Sequence, residues 1–177
     1  MIYFTGKGDG GKTEIGGKKF LKDSLIFEVL GELDELNSLI GLAKNYLSKK
    51  FCGKLTEIQN NIFIIQANVA YYLYKKFKPP KLSQSSIDKL EKEIKEIEKK
   101  IKEQKSFIIY GSNRDSAWFD YLRAVVRRVE RRIVKLNKKF KLDKEILNYI
   151  NRLSSYFYAL GRFVCYNKKI KEKSPWY

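Results

Sequence analysis

The sequence predicts an all-α fold, a five-helix up-and-down bundle preceded by a glycine-rich N-terminal arm. Three observations carry this expectation. Apolar residues recur at intervals of three and four through five segments, the breaks between segments are short, and no parallel sheet is offered between them. At 177 residues the chain fits one domain, 1–177, long enough to bury a substantial core. Residues 1–23 read as the arm, 24–167 as the bundle and 168–177 as a basic tail.

Residues 2–4 read as a short extended start, followed by a Gly/Lys loop. From Ser24 the period becomes helical, with Leu25, Val29, Leu33, Leu36, Ile40 and Ala43 inward and Asp23 or Ser24 as cap. A second helix, 54–74, points Leu55, Ile58, Ile62, Ile65, Val69 and Leu73 inward before Pro79 and Pro80 interrupt the chain. The third, 85–104, repeats Ile87, Leu90, Ile94, Ile97 and Ile101 behind a Ser85/Asp88 cap, a pattern that also suits a solvent-facing coiled-coil arm. After the breaker-rich SFIIYGSN come helices at 115–136 and 143–166.

Composition narrows the function. The chain has no histidine, which removes a Ser-His-Asp triad and any His-ligated metal. Cys52 and Cys165 lie far apart and outside any metal or redox spacing, so both are expected as reduced, partly buried thiols. No apolar run approaches the ~18 residues of a membrane span and no signal-peptide core is present, so a soluble cytoplasmic protein is expected. The formal charge of +17 attracts polyanions, which makes a basic helical nucleic-acid-binding protein the rival reading. Its lysines, however, are scattered and accompany no recognised nucleic-acid module.

The segment from Gly6 to Thr13, GKGDGGKT, satisfies the P-loop pattern. A P-loop must pass from a strand directly into a helix, whereas here Gly16 and Gly17 stand where that helix should begin. The local chemistry survives: glycines let the backbone approach phosphate oxygens, Lys7 and Lys12 supply charge, and Thr5 and Thr13 supply hydroxyls.

YLRAVVRRVERR and YINRLSSYFYALGR give the other signal. On a helix Arg123, Arg127 and Glu130 share one face and border the apolar seam of Leu122, Val125, Val126, Val129 and Ile133. That placement favours a bound anion, while Arg128 and Arg132 are expected to point to water.

TGKGDGGKT, GELDELNS, FIIYGSN, RAVVRRVERR and NYINRLS, in that order over nearly the whole chain, together resemble the PduO-type ATP:cob(I)alamin adenosyltransferases. The resemblance implies transfer of the 5′-deoxyadenosyl group of ATP to the cobalt of cob(I)alamin, giving adenosylcobalamin and triphosphate. Because cobalt(I) is itself the nucleophile, a histidine-free chain suffices. By the same resemblance residues 1–23 become an ATP-binding arm. Thr5, Gly6, Lys7, Gly8, Asp9 and Thr13 match its triphosphate loop, and Lys22 a basic residue that follows. Arg127, Glu130, Arg131 and Asn151 match nucleotide contacts. Arg123 matches an arginine paired with an aspartate, here Asp34, on the corrinoid side, although such a pair can equally be structural. Phe107 matches an aromatic that keeps the corrinoid's lower ligand off cobalt; read alone, it is better explained as an ordinary core phenylalanine.

Two departures stand out: Tyr110-Gly111-Ser112-Asn113 replaces the family's usual Pro-Gly-Gly, and Ser155 replaces an aspartate after NRLS. The family further implies a homotrimer with sites between subunits, Mg²⁺ accompanying the triphosphate, and as partners a reductase and an adenosylcobalamin-dependent enzyme.

Overall fold

The three-and-four spacing becomes five helices in the computed structural model, which describes residues 4–101 and 106–177. They are α1 (Leu25–Tyr46), α2 (Cys52–Ala70), α3 (Gln84–Glu98), α4 (Arg114–Asn137) and α5 (Lys144–Asn167). Cross-helix pairs fix their directions. Arg132 of α4 meets Glu28 of α1 at 3.1 Å, while Tyr46 at the far end of α1 stacks on Trp118 near the start of α4 at 5.4 Å, so these helices run antiparallel. On α3, Glu91 and Glu93 meet Arg152 and Tyr156 of α5, so those two run parallel. The bundle is therefore up-down-up-down-up. Its lower end holds the start of α1 and α5 and the end of α4; its upper end holds the start of α4 and the end of α5.

The expected inward rows of α1 and α2 form the core. Val29, Leu33, Leu36, Ile40, Leu55, Ile58, Ile62 and Ile65 are at most 1% exposed. At about 25 cal/mol per Å² of apolar surface removed from water, each such side chain contributes roughly 1.5–3 kcal/mol before its ordering entropy is subtracted. The expected third helix is no free arm, since Ile87, Leu90 and Ile97 join the same core. Boundaries shift slightly. The second helix closes at Ala70, and the third is capped by Ser83, whose hydroxyl accepts from Ser86 N, rather than by Ser85. Its expected end at Gln104 lies outside the described residues, as do residues 1–3 of the extended start.

The arm holds an element that helical periodicity does not reveal. Strands β1 (Lys12–Ile15) and β2 (Lys18–Leu21) pair antiparallel, with Gly16 and Gly17 as a two-residue turn. Both turn residues have positive φ, 59° and 77°, which glycine adopts without strain and which matches strand twist in a tight hairpin. The same glycines that exclude a P-loop helix therefore make a hairpin. Phe20 packs on Phe27 of α1 at 6.1 Å and seats the arm at the lower end of the bundle.

The stretch after α5 is anchored. Lys168 Nζ lies 3.0 Å from the buried first-turn carboxylate of Asp115 in α4, and Ile170 N donates to Cys165 O at 2.9 Å while Lys169 N donates to Tyr166 O at 3.0 Å. This double closure is a Schellman turn, with Lys169 at φ 53° in the position that glycine usually fills. The chain then crosses the upper end, where Lys173 O accepts from Ile109 N at 2.8 Å. The basic tail is thus tied down over residues 168–174, and its one acid, Glu172, is 12% exposed at the side chain and lies against Arg162.

Candidate active site

Beyond its first residue, Arg114, α4 carries five arginines, and they divide by face. Arg128 reaches Glu35, and Arg132 reaches both Glu28 and Glu32, so this row joins α4 to α1. The expectation that they point simply to water is corrected: α1 carries a matching acidic row. The carboxylate of Glu35 also raises the Arg128 pKa by accepting its hydrogen bond.

Arg123 and Arg127 turn instead toward a cleft of about 1010 Å³, walled by α3, α4, α5 and the C-terminal segment. Tyr158, Arg162, Lys171 and Glu172 line it with them. Arg123 is half-buried and donates to Tyr110 OH at 3.1 Å; its guanidinium lies over the rings of Tyr110 at 5.5 Å and Tyr158 at 5.3 Å. Arg127 is exposed, and Arg131 donates to the Arg127 carbonyl at 3.0 Å. Neither forms a carboxylate pair among the described residues. Unneutralised guanidinium groups beside a cleft can take an anionic ligand bidentately.

Below them, Asn151 Nδ2 donates to Glu130 Oε1 at 2.8 Å, and Asn151 Oδ1 accepts from Arg152 Nη1 at 2.6 Å. Arg152 Nε in turn donates to Glu91 at 2.7 Å. The α3–α5–α4 chain orients the Asn151 amide. Glu130 and Asn151, distant in sequence, are thus brought together as expected for neighbouring contacts.

Phe107 is 78% exposed, which removes the core-phenylalanine alternative. It sits at the upper end in a segment tied down on both sides. Ser106 Oγ is 2.9 Å from Ser174 Oγ, and Gly111 N donates to Asp120 Oδ2 at 3.1 Å. The departure from Pro-Gly-Gly gains a physical account: Tyr110 meets Arg123, Gly111 takes φ 85°, and Asn113 caps α4 in a reciprocal capping box with Ser116.

Asp34 is exposed on α1. Among the described residues it pairs with no arginine, so the expected Asp34–Arg123 pair does not form within one chain; Arg123 turns to the α5 side, onto the tyrosines.

The glycine loop is at the other end. Gly6 and Gly11 adopt φ 67° and 71°, Lys22 Nζ donates to Gly8 O at 2.7 Å, and Lys22 N donates to Gly11 O at 3.0 Å. Thr5, Gly6, Lys7 and Asp9 are exposed, with Gly8 and Thr13 partly covered. Lys22 therefore folds over the loop as a basic neighbour would. Among the described residues no hydrogen bond or ion pair of this loop reaches α4 or α5.

Tyr110, Tyr158, Arg152 and Arg162 are absent from the sequence-derived set. Tyr158 and Arg162 lie in the quoted YFYALGR, but only the packing of α5 against the segment before α4 shows what they face. Cys165 is buried and Cys52 partly so, both free, and burial pushes the Cys165 thiol up, which leaves it a poor nucleophile. No group of three or more metal-ligating side chains occurs among the described residues, and there no helix is long and apolar enough to cross a membrane.

An all-helical bundle with an arginine-walled cleft and a separate glycine hairpin arm defines a class: a helical-bundle protein built to hold anionic ligands without a P-loop domain. The sequence pattern of the cobalamin adenosyltransferase family matches residues 3–164, and the chain belongs to that family. It is 36% identical to a corrinoid adenosyltransferase of Bacillus subtilis, over 93% of this chain and 86% of that protein. It is 30% identical to the human corrinoid adenosyltransferase MMAB, over 96% of this chain and 71% of that protein. A variant PduO-type ATP:corrinoid adenosyltransferase from Lactobacillus reuteri, complexed with cobalamin and ATP, has a TM-score of 0.90 at 27% identity, covering 98% of this chain and 99% of that one.

Proposed function

We propose that this chain is an ATP:corrinoid adenosyltransferase that moves the 5′-deoxyadenosyl group of ATP onto the cobalt of cob(I)alamin. The observation that carries the reading is the Arg123/Arg127 face, held without carboxylate partners on the wall of the cleft in a chain of this family. In the reaction the cobalt(I) electron pair forms the Co–C5′ bond, the C5′–O bond breaks, and triphosphate leaves with those electrons. The protein's work is to align the two substrates and neutralise the leaving group, tasks suited to fixed cations and backbone amides.

Arg127 and Arg131 contact the triphosphate, and the loop of Thr5, Gly6, Lys7, Gly8, Asp9 and Thr13, with Lys22 behind it, wraps its other side. The Glu130–Asn151 pair, oriented through Arg152, receives the ribose or base. Arg123, Asp34 and Phe107 serve the corrinoid side. That no hydrogen bond or ion pair of the glycine loop reaches α4 or α5 among the described residues supports a site completed between subunits, in a homotrimer. There the arm of one copy would meet α4 of the next, and Asp34 would be free to meet a neighbour's Arg123.

Mg²⁺ suits this arrangement as a passenger of the triphosphate, held chiefly by phosphate oxygens and water. Among the described residues no group of three or more metal-ligating side chains stands ready for it, which fits an ion carried by the nucleotide. A reductase supplying cobalt(I) and an enzyme consuming adenosylcobalamin are the partners this reaction calls for. The +17 charge fits the anionic leaving group as well as it fits nucleic acid, and family membership favours the former.

The test is anaerobic incubation with ATP and chemically reduced cob(I)alamin, followed by absorbance. Appearance of adenosylcobalamin with stoichiometric triphosphate is expected; a spectrum that stays that of cob(I)alamin would refute the assignment.

A further inference from the structure

The cleft has a feature that neither the glycine loop nor the arginine face uses. Arg162 of α5, 5% exposed at the side chain, stands between the buried carboxylate of Asp120 and the largely covered carboxylate of Glu172. Its Nη2 donates to Asp120 Oδ1 at 2.7 Å, and its Nη1 lies 2.7 Å from Glu172 Oε1, close enough for strong attraction though poorly angled for a hydrogen bond. Its guanidinium also lies over the Tyr158 ring at 5.1 Å. Asp120 passes the connection on, since its Oδ2 accepts from Gly111 N at 3.1 Å. One residue beyond Glu172, Lys173 O accepts from Ile109 N at 2.8 Å, and Ser174 meets Ser106 at 2.9 Å. Glu172, Arg162 and Asp120 thus join the C-terminal segment to both sides of the short stretch carrying Phe107.

We propose that residues 172–174 act as a strap, locked by the Glu172–Arg162–Asp120 network, that positions Phe107 for its role on the corrinoid side. Glu172, Arg162 and Asp120 are positioning residues. A buried charge row is costly to assemble unless every member is paired, so the row closes only when the strap lies across the loop, and the loop is then held at Ser106, Ile109 and Gly111 together. Phe107 itself is 78% exposed, so its placement depends chiefly on these backbone and side-chain ties. The inference rests on the adenosyltransferase reading, because it assigns Phe107 the removal of the lower ligand from cobalt.

The full chain, Glu172→Gln and a chain ending at Lys171 are compared in three measurements. Amide hydrogen exchange at Ile109 reports the strap directly. Electron paramagnetic resonance of bound cob(II)alamin with ATP reports the fraction lacking its lower ligand. Adenosylation is followed from pre-reduced cob(I)alamin and from cob(II)alamin with a reductant. The expected result is faster exchange at Ile109, a several-fold fall in the four-coordinate fraction and a matching fall in the cob(II)alamin-dependent rate. The rate from pre-reduced cob(I)alamin, which does not require removal of the lower ligand, should fall by clearly less than the rate from cob(II)alamin. Restoring a carboxylate with Glu172→Asp should recover part of the four-coordinate signal, which a general loss of folding would not allow. An unchanged four-coordinate fraction in both altered chains, with the parent showing that species and full activity, overturns the strap alone. A parent chain that forms no adenosylcobalamin overturns the functional reading and the strap with it.

Discussion

The two faces of α4 carry the same residue type to opposite ends. On one face Arg128 and Arg132 meet Glu35, Glu28 and Glu32 of α1; on the other Arg123 faces Tyr110 and Tyr158, and Arg127 opens toward the cleft. The first row is an inter-helix clamp of partly exposed ion pairs, whose worth is small because water competes for both partners. The second keeps its cationic charge available. An arginine's neighbours across the helix–helix boundary, more than its position along the helix, separate holding from binding.

The sharpest way to break this contrast is Arg127→Ala. Loss of a fixed cation facing the leaving triphosphate should lower turnover by on the order of 10²-fold, with the melting temperature nearly unchanged. Steady-state kinetics beside a thermal melt check it. Equal kinetics in a folded variant would place Arg127 with the clamp. Phe107→Ala tests the upper end: because the ring is 78% exposed, stability should change by no more than ~0.5 kcal/mol. The rate from cob(II)alamin with reductant should fall well below the rate from cob(I)alamin. Equal damage in the two assays would detach Phe107 from the lower ligand.

At the start of α4 the effect should be one of stability with a pH signature. Burial pushes the Asp115 carboxyl up, but Lys168 and Arg114 more than offset this and hold it below the usual aspartate range. A folded pKa below the unfolded one means the stabilisation is complete above the ordinary aspartate value near ~3.9 and disappears as pH falls through the folded value. Asp115→Asn should therefore cost about 1–2 kcal/mol near neutrality and flatten the acid limb of a denaturation profile. An acid limb as steep as the parent's would assign that loss elsewhere. The smallest effects belong to the clamp. Arg128→Ala and Arg132→Ala should each cost about 0.2–1 kcal/mol in urea titrations, leave kcat intact, and cost less as salt is raised.

Most of the bundle was legible because burial on a helix leaves a repeating mark. The rows from Val29 to Ala43 and from Leu55 to Val69 needed only their spacing. The hairpin is written locally too, in Gly16-Gly17, yet its short strands carry no strong alternation and the segment leading into them also satisfies the P-loop pattern. Arg127, Glu130 and Asn151 are singled out by family motifs, and the hydrogen bond that joins Glu130 to Asn151 is visible only in the fold. The fates of Arg128 and Arg132 were not, because the acidic row that pairs with them lies on a helix some 100 residues away. Glu172 was hidden for the same reason: in a stretch rich in lysine a lone acid reads as solvated, and only the position of Arg162 shows otherwise.

The contact between Ser106 and Ser174 joins positions 68 residues apart, whereas Lys12 and Leu21 meet across a two-glycine turn. Loop-closure entropy and contact order place these events at different moments of folding. The hairpin can close in about 1–10 μs on its own, while the Phe107 segment must await the docking of α4 against α5 before its far partner is within reach. Refolding followed by pulsed hydrogen exchange should accordingly protect the Ile15–Lys18 region of the arm early and the Ile109 amide late, so that the competence to handle a corrinoid is among the last properties the chain acquires.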